Sequence, residues 1–208
     1  MIFTHNGLRE GRKVILPPIN AERDYPAVFA HLKQFEGHLR PRADQGVHWS
    51  NLRNCAYIQD LEKSKIIWGE LADSAKFTLD ESGYCLNNTV FMMNGQNLPF
   101  LLAILNSKAA QWFFELIGTT SGMGTNRWLK YKIEQLPVPE PSQKIEAAVN
   151  ILVQSVLTAK QNGQPTQADE DKLERLIAAA YNLSPDEIAL MADVKASAVD
   201  RMPVTSMS

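Results

Sequence analysis

The chain has 208 residues, 45% hydrophobic and 21% charged, with a net charge of −2: the balance of an ordinary globular protein, with material for one good-sized core or a core and an appendage. No run reaches about 18 uninterrupted apolar residues, so no membrane-spanning segment is predicted. Cys55 and Cys85 are too few for a disulfide scaffold, and Met1–Asn6 lacks the basic-then-apolar start of a secretion signal; together these predict a cytoplasmic protein.

Charge is spread unevenly. Residues 1–139 carry 15 Lys/Arg against 13 Asp/Glu, and residues 140–208 carry 6 against 10. A mildly basic front and an acidic back suit a nucleic-acid-facing part and a supporting part, although the small total charge argues against strong non-specific DNA binding.

Residues 1–20 read as extended, with a strand at Lys13–Leu16 closed by Pro17 and Pro18. Asp24 is placed to cap a helix with Pro26 in its first turn, and Val28, Leu32, Phe35 and Leu39 give it one apolar stripe. Arg40 and Arg42, split by Pro41, fall where that helix must end. Strands are predicted at Lys65–Glu70, Lys76–Leu79 and Tyr84–Leu86, the last continued by Thr89–Met93. Leu101–Lys108 begins a buried helix that carries Trp112, Phe113, Leu116 and Ile117, then gives way to a Gly/Ser/Thr loop at 118–125.

The chain returns through Arg127, Trp128, Lys130 and Lys132 and leaves on Pro137-Val138-Pro139. Ile145 to Leu157 repeats at helical spacing. Thr166 with Asp169 predicts a capping box, Asn182 a left-handed helix end, and Ser184-Pro185-Asp186-Glu187 a further helix start. From about Asp193 the residues are small and polar, predicting a disordered tail. The fold class is therefore α+β, a mixed and partly antiparallel sheet packed with helices. It divides into a recognition domain at 1–141, a helical support segment at 142–192 and a tail at 193–208.

Catalytic templates are missing. His31 and His38 share one helix face without a third ligand, so no metal site is expected. Gly122-Met123-Gly124 follows a helix rather than a strand and lacks the third glycine of a dinucleotide loop. Glu170-Asp171-Lys172 and Asp193-Val194-Lys195 resemble nuclease acid-x-Lys runs but fall on a helix face and near a tail, where a solvated charged surface explains them. What remains is a binding pattern: cations at Arg127, Lys130 and Lys132 interleaved with Trp128 and Tyr131, beside short hydrogen-bonding side chains. A surface hairpin with its tryptophan turned into the core accounts for the same residues.

The blocks Tyr25–Phe35, Leu39–Arg42, Trp49–Arg53, Lys65–Glu70, Leu102–Lys108 and Ile133–Pro139, in that order, resemble the TaqI-like C-terminal specificity domain. Tyr181–Ser184 and Glu187-Ile188 look like that family's end, so the resemblance spans roughly 1–190. It implies target recognition on double-stranded DNA for an N6-adenine methyltransferase that uses S-adenosylmethionine and flips out its base. The Asn/Asp-Pro-Pro-Tyr/Phe motif of such enzymes is absent; Leu16-Pro17-Pro18-Ile19 lacks both flanking groups.

The expectation is thus a non-catalytic specificity module, starting partway into its domain, that holds no cofactor. S-adenosylmethionine belongs to a catalytic domain upstream or in trans. The Pro-x-Pro exit and long helix also resemble type I specificity subunits, which raises two further expectations: a homodimer through 143–158, or a helical interaction scaffold as the alternative function. Arg40, Arg42, Arg53, Arg127, Lys130 and Lys132 are expected to hold phosphates or, for arginine, read bases. Thr119, Thr120, Ser121 and Asn126 in the loop, with Asn87 and Asn88 at strand edges, are expected to supply hydrogen bonds to DNA.

Overall fold

The computed structural model describes residues 2–72, 74, 76–117 and 126–191. The chain is α+β, and the described strands form small sheets in which every pairing is antiparallel. It divides into two compact units, Met1–Lys63 with Ser82–Cys85, and Ser64–Glu81 with the residues from Leu86 onward. Thr119, Thr120, Ser121, the Gly122-Met123-Gly124 run and the predicted tail at 193–208 lie outside the described residues.

In the first unit, β1 (Leu8–Glu10) and β2 (Lys13–Leu16) form a hairpin. Gly7 precedes it with φ +74°, and a Cβ there would sit 2.4 Å from the Leu16 carbonyl oxygen, so only glycine fits. A short α1 (Ala21–Asp24) comes first, and the single helix expected from an Asp24 cap to about residue 39 is two, α2 (Pro26–Lys33) and α3 (Glu36–Leu39). Asn20 is the cap of α1. Its side chain accepts from Arg23 N at 3.1 Å while the Asp24 carboxylate accepts from Asn20 N at 3.0 Å. Pro26 sets where α2 begins, because it disfavours helical backbone at Tyr25 (φ −142°, ψ 66°); the later interruption lies at Gln34-Phe35, with Phe35 at φ −108°, ψ 8°. The expected stripe is shallow, with Val28, Leu32 and Leu39 half-buried and Phe35 exposed.

The unit is tied together by polar groups. Asn51, 1% exposed, donates from Nδ2 to the carbonyls of Ile19 (2.8 Å) and His5 (3.2 Å). The Thr4 hydroxyl donates to Ser50 O at 2.6 Å, and Leu52 N donates to Thr4 O at 2.9 Å. Asn51→Ala orphans two inward carbonyls and is expected to cost on the order of 1–3 kcal/mol for each left unsatisfied. Hydrogen exchange should show the loss across residues 2–63, with the second unit unchanged; a variant with wild-type protection in the first unit would contradict this.

The second unit centres on β3 (Lys65–Gly69), flanked by β5 (Thr78–Asp80) and β6 (Val90–Met93). The run expected as a strand at Tyr84–Leu86 is not one; pairing begins at Val90. Against the sheet lies α4 (Leu98–Leu105), apolar on all sides and therefore central, with Leu98, Phe100, Leu102, Ile104 and Leu105 buried. α5 (Lys108–Ile117) leaves it at a 60° bend, and neither that pair nor any other described helix is a single span long and apolar enough to cross a membrane. Two adjacent side chains make the bend. Asn106 pairs with both Phe77 N and Phe77 O at 3.0 Å, and Ser107 Oγ accepts from Ala110 N at 3.2 Å as a helix cap.

α7 (Gln143–Gln161) is capped by Ser142 and turns Val149, Val153 and Val156 inward. α8 (Gln167–Ala180) adds Ile177 and Ala180 to the same core as Ile66, Trp68 and Leu105. The apolar stripe at 145–157 packs on its own chain, with Val149 and Val153 in the core and Ile145 and Leu157 against it. Thr166 makes no backbone cap; its hydroxyl donates to Glu170 at 2.8 Å. Asn182 is left-handed (φ 55°), as predicted. The Ser184–Glu187 box is complete, with Ser184 N donating to Glu187 at 2.8 Å and Glu187 N to Ser184 Oγ at 3.3 Å, and helix follows at 185–191.

Candidate nucleic-acid interface

The basic-aromatic ribbon resolves into an inner and an outer side. β7 (Asn126–Arg127) pairs with β4 (Leu71–Ala72), placing Arg127 opposite Leu71. Trp128 then turns inward. It is 3% exposed, its ring 4.8 Å from Phe114 and 5.7 Å from Phe77, its Nε1 donating to Ala72 O at 3.1 Å. Its own carbonyl accepts from Trp68 Nε1 at 2.8 Å, and its N–H donates to Glu70 O at 2.8 Å. The single turn of α6 (Lys130–Ile133) alternates accordingly: Lys132 and Ile133 are buried, Lys130 and Tyr131 exposed.

The Glu70 backbone joins this segment to another predicted element. Glu70 N donates to Thr89 O at 3.1 Å on one side while its carbonyl takes Trp128 N on the other. The Asn87–Thr89 turn therefore lies beside the β4–β7 pair. Asn87 Oδ1 accepts from Thr89 N (3.1 Å) and Thr89 Oγ1 (2.8 Å), which fixes the turn and leaves Asn88 exposed. Asn87, Asn88 and Thr89 are thus linked through Glu70 to the segment that carries Arg127, Lys130 and Tyr131, and all six residues are exposed. The Asn126 backbone belongs to β7.

The cations of this segment are unequal. Arg127 bonds the Glu70 carboxylate through Nε (3.1 Å) and Nη2, an interaction that strengthens its hold on the proton. Lys130 is 73% exposed, with a loose 3.3 Å pairing to Glu134. Lys132 is 4% exposed and engaged within the fold, so it presents no charge to solvent.

In the first unit, Arg42 is likewise internal in its use: it donates to the carbonyls of Leu39 (3.1 Å), Trp49 (2.8 Å) and Asn51 (3.2 Å), stapling the loop after α3. Both side chains thus serve the fold, Lys132 buried and Arg42 half-buried. Arg40 bonds Glu36 at 2.6 Å and lies 5.7 Å from the Trp49 ring centre; Arg53 meets Asp44 at 3.4 Å with both side chains largely exposed. Thr119, Thr120 and Ser121 fall outside the described residues.

Elsewhere in the second unit, a cavity of about 630 Å³ is lined by Phe77, Leu102, Val153, Leu173 and Glu174 among others. Burial pushes the Glu174 carboxyl up, although Lys108 N donates to it at 3.1 Å. Glu170 pairs with Lys160 and Lys172 with Asp169, both at 2.8 Å, so the acid-x-Lys run does not converge on a cation. Among the described residues no group of three His, Cys, Asp or Glu is placed to hold a metal. β6 does lead through Asn94–Asn97 into α4, but with one glycine, and the Asn97 side chain is bonded to Glu146 at 2.5 Å. That passage is therefore not the glycine-rich turn of a dinucleotide-binding fold.

Residues 31–138 match the TaqI-like C-terminal specificity domain. The fold is also similar to a chain in a solved structure of the Type IIL restriction-modification enzyme MmeI in complex with DNA. The TM-score is 0.59 at 12% identity, over 81% of this chain and 26% of that one. The present chain thus spans about a quarter of the MmeI chain.

Proposed function

Because the chain belongs to the TaqI-like C-terminal specificity domain family, we propose that it is the DNA sequence-recognition module of a restriction-modification methyltransferase, with no chemistry of its own. The observation that carries this is the edge formed by β4, β7 and the Asn87–Thr89 turn. There an exposed lysine, an arginine, an asparagine and a tyrosine stand together on a backbone pinned from both sides. Such a set can neutralise phosphate, donate to base edges and pack on a sugar or base.

On this reading the partner is double-stranded DNA in the cytoplasm. S-adenosylmethionine is the business of a catalytic domain, upstream or in trans, that closes on the other side of the duplex. Thr119, Thr120, Ser121 and Asn126 remain proposed contacts of the loop that leads into β7, and Arg40 and Arg53 proposed contacts of the first unit. The scaffold reading, and a homodimer through 143–158, are less favoured, because Val149 and Val153 are buried within the unit, although Ile151 on the same helix is 70% exposed.

The test is the affinity of the full chain for a mixed-sequence duplex as a function of salt. Binding should be weak, strongest at low salt, and Lys130→Ala should weaken it alike on all sequences while lowering the slope of log K against log salt by about 1. No salt-dependent binding, or an unchanged slope in Lys130→Ala, would sink this placement.

A further inference from the structure

The Glu70–Arg127 pair has a geometry that separates two ways of meeting DNA. Both bonds run from Nε and Nη2 to one oxygen, Glu70 Oε1. They use the side edge of the planar guanidinium. The end edge, with the Nη1 hydrogens and the outer Nη2 hydrogen, is a second two-donor fork, and among the described residues nothing takes it up. Arg127 lies in β7 and Glu70 in the bend just before β4, and their backbones are held by the Leu71–Arg127 register and the Trp128 N to Glu70 O bond. The Arg127 side chain is 48% exposed and that of Glu70 28%, so the carboxylate stands behind and the guanidinium in front.

We infer that Arg127 reads a guanine, its free fork matching the O6 and N7 acceptors of the major-groove edge, and that Glu70 is its positioning residue. A phosphate partner fits less well. A guanidinium already neutralised in place by a carboxylate has little charge to offer and releases few counterions, whereas its hydrogen-bonding directions are sharpened by being held. Lys130, exposed and loosely paired, is the phosphate-type cation of the same edge. The inference rests on the DNA-facing role proposed above.

The experiment is enrichment of a random-sequence duplex pool through the full chain, followed by salt-dependent affinities on the enriched site, for wild type, Arg127→Ala, Arg127→Lys and Glu70→Gln. Thermal melts show that each variant is folded. The expected result is a motif with a fixed guanine that becomes degenerate at that one position in both Arg127 variants, its preference there falling about tenfold or more with the salt slope unchanged. Glu70→Gln should keep the motif at reduced contrast while raising binding to all sequences and steepening the salt slope, because the arginine charge is released.

A uniform loss in Arg127→Ala with a slope lower by about 1 would make Arg127 a phosphate contact and overturn the inference. So would a wild-type chain that binds duplex without enriching any motif, in which case DNA binding itself stands. Failure of wild type to bind any duplex at low salt overturns both readings.

Discussion

Asp80→Ala is expected to destabilise the second unit by about 3–5 kcal/mol, whereas the double replacement Lys65→Met with Asp80→Leu should stay close to wild type. Lys65 and Asp80 face each other across the β3–β5 pair with Nζ and Oδ2 2.5 Å apart, their side chains 0% and 3% exposed. An ammonium and a carboxylate buried together give back in attraction roughly what they lose in hydration. Removing one leaves the other in a medium that cannot solvate it, and this asymmetry makes the single variant much worse than the double. Urea melts of wild type, both single variants and the double variant close the cycle. A single variant within 1 kcal/mol of wild type would mean that the strand pair opens enough to hydrate the lysine.

That ion pair also shows where sequence reading stops. Lys65 opens a predicted strand and Asp80 opens a predicted turn, and either residue type at such a place is ordinarily on the surface. Their burial follows from a register between two strands and from α4 packing over them, neither of which is written locally. Features set within a few residues were legible: β3, the Val90–Met93 strand, the α7 stripe, the left-handed Asn182 and the Ser184–Glu187 box. The helix expected from Asp24 to residue 39 starts where Pro26 placed it but is interrupted at Gln34-Phe35, where Phe35 leaves helical backbone (φ −108°, ψ 8°) despite a continuous apolar stripe.

The edge proposed to meet DNA was half legible. Its cations and aromatics could be picked out at 127–132, but not which of them face outward. Trp128 and Lys132 turn in while Arg127, Lys130 and Tyr131 turn out because β7 pairs with a two-residue strand over fifty positions earlier. Glu70, the residue that links that strand to the Asn87–Thr89 turn, carries no signal of its own in the sequence. The structural use of Arg42 was hidden for a similar reason: its three carbonyl acceptors converge only once the loop at 49–51 has folded back on α3.

Trp128→Ala should be the most damaging single change for recognition, and for a reason distinct from any DNA contact. Truncating a buried tryptophan costs about 3–5 kcal/mol. Here the ring, wedged between Phe114 and Phe77, is also what holds the chain in place between β7 and α6. Trp128→Phe separates the two effects, because it keeps most of the packing while leaving Ala72 O without its Nε1 donor. About 1–3 kcal/mol is then expected.

If the tryptophan acts as a pin, Trp128→Ala should lose protection at the backbone amides of position 128 and Ile133 in hydrogen exchange, under conditions where the sheet amides of Ile66 and Ile67 remain protected. Its DNA affinity should fall by more than that of Lys130→Ala, because Arg127, Lys130 and Tyr131 lose their common geometry together. An alanine variant that keeps both local protection and affinity would show that the β4–β7 pairing alone fixes the edge. A variant that loses protection uniformly would show instead that the segment is part of the core and has no separate mobility for the tryptophan to restrain.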